Sequence, residues 1–222
     1  MFRVTITRPI AAWLIASIGA LHLATAVALA RELKVEGLSF SDEKGSFRLL
    51  SVSGKGTPED PIIVTEEVTG PDEPVLIIRG FGAKFGNRAG SFHTAAFAMK
   101  KIAINRTSKT WLSYRLELRE VQTRHSNYED GLSFGQDAAI ADAYTSSPTF
   151  PNVERIYEPA DMVTFNGAEV PPGDRAVMQF VITDMSPVYT FFLFQQPAQL
   201  VSQRETPGAA AKTARLSQRM LR

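Results

Sequence analysis

The sequence predicts an all-β fold, an antiparallel sandwich or barrel, and three observations carry that expectation. Apolar and polar residues alternate with a period of two over most of the chain beyond residue 30. Gly- and Pro-rich turn signals punctuate the alternation. Helical periodicity is scarce. The 222 residues include no cysteine, so neither disulfides nor thiolate metal sites can stabilise the fold. A hydrophobic core must do so, and the length is sufficient to build one in a single domain.

Residues 1–30 precede that pattern and have a different composition. Arg3 and Arg8 give a positive start, and residues 10–30 are almost wholly apolar, broken by Ser17, His22 and Thr25. Two A-x-A sites close the run, Ala26-Val27-Ala28 and Ala28-Leu29-Ala30, and Arg31-Glu32 follows. This is the layout of a cleavable secretory signal peptide. The run is also long enough to span a bilayer, but the A-x-A sites and His22 favour cleavage. The expected location is therefore the periplasm or the extracellular space.

Strands are expected at 33–40, 46–53, 61–68, 74–79, 110–121, 162–166, 176–184 and 188–196. The clearest alternation lies in 110–121. Leu112, Tyr114, Leu116 and Leu118 share one face, and Ser113, Arg115, Glu117 and Arg119 share the other. Turn signals separate the strands at Ser53-Gly54-Lys55-Gly56, Thr69-Gly70-Pro71-Asp72, Asn166-Gly167 and Pro171-Pro172-Gly173-Asp174. Residues 94–104 have helix-favouring Ala, Met and Lys, yet Ile102 and Ile104 alternate, and they are read as a strand. Residues 137–144 read as one or two helical turns, and 146–151 as a Ser/Pro loop. The β-domain is expected over 31–203. Residues 204–222 carry Arg204, Lys212, Arg215, Arg219 and Arg222 against Glu205. They read as a solvated tail, the alternative being a short basic amphipathic helix with weak contact to an anionic surface.

Charge limits the partners. The precursor has a net charge of +1, and the tail holds most of the excess, leaving a slightly acidic body. That distribution excludes a nucleic-acid-binding footprint. Gly131-Leu132-Ser133-Phe134-Gly135 matches G-x-S-x-G, but no histidine follows Ser133 to act as its base. Gly80-Phe81-Gly82-Ala83-Lys84-Phe85-Gly86 misplaces the third glycine of a dinucleotide loop, so no nucleotide and no other cofactor is expected.

His93 and His125 lack the spacing of a metal pair. Glu129, Asp130, Asp137 and Asp142 near His125 suit a hard cation in type, but the Ca²⁺ loop pattern is missing, and no metal is expected. Glu117 with Glu120, or Glu158 with Asp161, are the carboxylate pairs on which glycoside hydrolysis would rest. Glu117 lies between Arg115 and Arg119, which reads instead as a charge ladder, and no catalytic residue is assigned. Asn105-Arg106-Thr107 is a glycosylation sequon. Trp111, Tyr114, Tyr128, Phe134, Tyr144 and Tyr157 are aromatic candidates for sugar stacking, whereas Phe180, Phe191, Phe192 and Phe194 read as core. Trp111 is the ligand-binding candidate, placed by alternation on the wet face with Ser113 and Arg115.

Two stretches carry a resemblance. The first runs through Asn105-Arg106-Thr107, Trp111 and Leu118 to Asp130-Gly131-Leu132-Ser133-Phe134. The second runs from Val170-Pro171-Pro172-Gly173 to Asp184. Both resemble strands of uncharacterised exported bacterial proteins with an immunoglobulin-like or fibronectin-like sandwich. Residues 54–61, a G-x-G-T-x-x-D-P turn, look like a turn of some secreted β-proteins. The resemblance implies an immunoglobulin-like β-sandwich and carries over no activity or site residue. The expected function is an exported, non-catalytic envelope or surface module that binds an envelope protein or a glycan, or serves as a structural partner in an envelope assembly through an exposed strand edge. The alternative is a secreted carbohydrate-active enzyme or glycan-binding protein.

Overall fold

A computed structural model describes residues 30–199, except Tyr128, Gln136 and Asp137. Residues 1–29 of the expected signal peptide and the basic tail lie outside the described residues. Among the described residues, twelve strands and one helix form the fold. One sheet contains β1 (Glu32–Val35), β2 (Leu38–Ser41), β5 (Val75–Arg79), β7 (Trp111–Arg119), β9 (Asn152–Ile156), β10 (Met162–Val170) and β12 (Thr190–Gln199). The other contains β3 (Phe47–Ser53), β4 (Ile62–Val68), β6 (Ala95–Asn105), β8 (Leu132–Ser133) and β11 (Arg175–Asp184). The helix, α1 (Ala138–Tyr144), follows β8 and packs on β11. The all-β, two-sheet expectation therefore holds.

The sheet orders are β1-β2-β5-β12-β7-β10-β9 and β3-β4-β6-β11-β8. Antiparallel pairing is not complete, because β4 and β6 run parallel, with Ile62 opposite Met99 and Val68 opposite Asn105. The cause is topological. The chain leaves β4 for β5 in the facing sheet and returns to β6 in its original direction.

The inner faces form one core, with Phe40, Leu49, Ile62, Phe97, Leu116 and Phe180 among its buried members. Phe81 anchors the connection between β5 and β6 into that core. Its ring lies 5.2 Å from Phe97 and 5.3 Å from Phe191, both edge-on.

Local chemistry explains where elements depart from expectation. The run 33–40 is a hairpin rather than one strand, because Glu36 and Gly37 both adopt positive φ, at 52° and 88°. Two such residues make the tight turn that suits strand twist. Asn166-Gly167 does not end β10, which passes through a register shift to Val170. The connection between β3 and β4 depends on Gly54, with φ 95°. A Cβ there would lie 1.9 Å from the Pro61 carbonyl oxygen. Gly54→Ala is expected to cost about 2 kcal/mol or more, since the turn must open. Chemical denaturation measures that loss, and an unchanged midpoint would show that the turn is not this tight.

Candidate functional site

Strand register determines which loops share an end. In the larger sheet Arg79 pairs with Ser39 and Thr190, Phe192 with Arg119, Glu117 with Met162, and Met162 with Ile156. In the smaller sheet Asp184 pairs with Ala95 and Leu132. The connections 36–37, 54–61, 80–94, 120–131, 157–161 and 185–189 therefore gather at one end of the sandwich. Bonds between loops hold them together. Arg88 pairs with Glu36 at 2.8 Å and donates to the Lys55 carbonyl at 2.8 Å. Thr94 Oγ1 donates to the Met185 carbonyl at 2.7 Å, and Gly80 N to the Tyr189 carbonyl at 2.8 Å. Residues 30 and 199 lie at the opposite end, where Arg31 N donates to Asp42 Oδ1 and Gln199 faces Trp111.

Two unusual kinds of side chain accumulate at the loop end. The first is exposed and apolar. Of six large hydrophobic residues exposed among those described, Phe92, Val121, Ile156, Met185 and Tyr189 are here, and only Leu112 is elsewhere. Phe92 is 86 % exposed and Tyr189 70 %. Tyr189 borders an open hollow with Lys34, Glu36, Ser39 and Arg79.

The second kind is the carboxyl group held out of water. Asp161 and Asp184 are fully buried. Burial pushes the Asp161 carboxyl up to about 8, and the charges of Asp130 and Glu158 add to the effect. Burial likewise raises Glu120 to about 7, with Asp130 and Asp184 reinforcing it and Arg124 opposing it. Asp184 rises to about 6 through burial, against backbone hydrogen bonds from Ser186 and Val188. Asp130 is the common neighbour of all three. It is tied down by the Leu132 amide on its Oδ1 at 3.1 Å and by Ser186 Oγ on its carbonyl at 2.9 Å.

The sequence candidates separate on this frame. Glu117 is buried and bonded to Arg119 and His125, with Arg119 Nη2 donating to Glu117 Oε2 at 3.0 Å. Burial acts to raise its carboxyl, but the bonds from Arg119 and His125 outweigh that and leave it below the ordinary range. Arg119 also lies over the Phe194 ring at 3.9 Å. Asp142 pairs with Arg155 instead of joining His125. Glu129 is exposed, and Asp137 lies outside the described residues. Among the described residues, no group of three or more His, Asp and Glu side chains is arranged to hold a metal ion. Ser133 is a buried strand residue whose Oγ meets Thr183 Oγ1 at 3.1 Å. Asn105 of the sequon is fully buried, and its Nδ2 donates to the Lys109 and Val170 carbonyls at 2.8 and 2.9 Å. That nitrogen is committed to the fold.

Trp111 requires a correction. It is 0 % exposed, edge-on to Tyr114 at 5.4 Å, and not on the wet face. Ala198 pairs with Ser113 but Gln199 pairs with Trp111, so Leu112 is an extra residue in the ladder. Such a bulge reverses the alternation. Trp111 turns inward beside Tyr114, and Leu112 is pushed out to 38 % exposure. Phe134, Phe180, Phe191 and Phe194 are buried, Tyr144 and Tyr157 are half-buried, and Tyr128 lies outside the described residues. The sequence reading missed Phe92, Met185 and Tyr189. The available signal was their position in turn-rich segments that offer no apolar face.

Comparison with protein-family models, curated proteins and solved structures finds no match.

Proposed function

We propose that this chain is an exported, non-catalytic module that binds an envelope protein through the loop end of its sandwich. The observation that carries the reading is the segregation of exposed apolar side chains to the end opposite residues 30 and 199. Isolated exposed hydrophobic residues are ordinary, but a concentration at one end is what a contact surface requires. Phe92, Met185 and Tyr189, at the same end as Arg79 and Arg88, match the aromatic, Met and Arg enrichment of protein interfaces. The two-sheet, mainly antiparallel architecture supports an immunoglobulin-like type, enlarged beyond the seven to nine strands usual there.

Capture of an envelope protein by the immobilised chain tests the proposal. The Phe92→Ser/Tyr189→Ser variant is expected to weaken capture at least about tenfold, as loss of central aromatic contacts does. Leu112→Ser, at the other end, leaves it unchanged. Equal capture by all three chains would refute the assignment.

One observation favours the carbohydrate-active enzyme. Asp161 and Glu120, held near 8 and 7, keep a proton near neutral pH as a general acid must. Against it, Asp161 is fully buried. Polysaccharide turnover abolished by Asp161→Asn would move the assignment to the enzyme.

A further inference from the structure

Four polar side chains meet in the apolar layer between the sheets. Glu66 and Lys101 project from the paired strands β4 and β6, and Tyr114 and Gln195 from β7 and β12 opposite. All four are 0 % exposed. Lys101 Nζ lies 2.6 Å from Glu66 Oε2. The same oxygen accepts from Gln195 Nε2 at 3.3 Å. The Tyr114 hydroxyl donates to Gln195 Oε1 at 2.7 Å and is 3.5 Å from Glu66 Oε1.

This arrangement has a chemical consequence beyond packing. One carboxylate oxygen touches both an amine and the nitrogen of a primary amide, and a phenol polarises that amide's carbonyl. We propose that the cluster is a self-modification site, at which Lys101 and Gln195 join in an intramolecular amide bond linking the two sheets.

The step balances without oxidant or cofactor. A proton passes from Lys101 Nζ to Glu66, leaving a neutral amine. The Nζ lone pair attacks Gln195 Cδ, and the new C–N bond forms as the carbonyl electrons move onto Oε1. Tyr114 OH, already bonded to Oε1, stabilises that charge. Glu66 gives its proton to Nε2 and accepts the remaining one from Nζ. The Cδ–Nε2 bond breaks, the departing ammonia takes the proton held by Glu66 and leaves as ammonium, and Glu66 returns to its carboxylate state. Burial lowers the Lys101 pKa, opposed by the Glu66 charge, and so favours the nucleophilic amine. Burial and the Glu66 charge also hold the Tyr114 phenol well above its ordinary range, so it remains a donor. Holding the amine and the amide on one Glu66 oxygen in a dry site supplies the proximity that they lack when free in water. The amide would supply a covalent crosslink in a chain with no thiols.

Intact mass and a tryptic map of the purified, folded full chain test the proposal. The expected chain is lighter than its sequence by one ammonia. Trypsin fails to cut after Lys101, and the peptides bearing Lys101 and Gln195 remain joined. Lys101→Met and Glu66→Gln each restore the uncorrected mass. An unmodified wild-type mass overturns the proposal whatever the variants do. So does loss of water joining Lys101 to Glu66, or loss of ammonia mapped to any other position.

Discussion

Lys101→Met is expected to lower the unfolding free energy by about 3–5 kcal/mol, the scale for breaking a buried ion pair from one side. Glu66 and Lys101 are both fully buried and 2.6 Å apart. Removing the Lys101 nitrogen, whether free or acylated, strands a carboxylate beneath two sheets, with only the weak bonds from Gln195 and Tyr114 near it. Adding Glu66→Gln should recover the part of the loss that comes from the stranded charge, because an amide retains hydrogen-bonding capacity without the charge. The double variant also separates two contributions, since it removes the buried charge and still cannot form the Lys101–Gln195 amide. Chemical denaturation of the four chains measures the cycle. Equal stability of Lys101→Met and wild type would show that water reaches the pair.

Stability should fall as pH rises from about 5 to about 9, and Asp161→Asn should flatten that fall. The sign follows from which state holds the protons. Ordinary carboxyls titrate near 4, whereas burial holds Asp161 at about 8, Glu120 at about 7 and Asp184 at about 6. Between those limits the folded chain retains protons that the unfolded chain has released, so raising pH favours unfolding. The stabilising contribution is complete below about pH 4 and disappears as pH passes the folded values. An asparagine side chain in place of Asp161 would mimic the protonated carboxyl in shape and polarity but cannot ionise. Asp161→Asn is therefore expected to raise the melting midpoint by about 2–4 °C per kcal/mol gained above pH 8, and to leave it unchanged below about pH 4. A wild-type midpoint that rises across this window would contradict the burial of these acids.

The strands were legible because one side of each meets a core. Residues 176–184 alternate, and β11 follows them almost residue for residue. Features set by a single inserted residue or by distant neighbours were not legible. The extra residue at Leu112 exchanges the faces of Leu112 and Trp111, and alternation alone placed Trp111 in solvent. Parallel pairing of β4 with β6 depends on β5 crossing to the other sheet.

The acids at the loop end come from Glu120, Asp130, Asp161 and Asp184, which only the folded topology brings together. Their raised pKa values arise from burial, which spacing in the chain does not encode. Nothing in composition sets Lys101 and Glu66 apart from other strand charges, although both fall on the inward phase of their strands. Phe92, Met185 and Tyr189 belong to loops, where composition suggests exposure but not a shared end.

Hydrogen exchange with and without envelope extract tests the recognition end most directly. Slowed exchange confined to segments among 80–94, 120–131, 157–161 and 185–189 is the expected result. Slowing that maps instead to 42–46, 69–74 and 106–110, or no slowing at any segment, would contradict it.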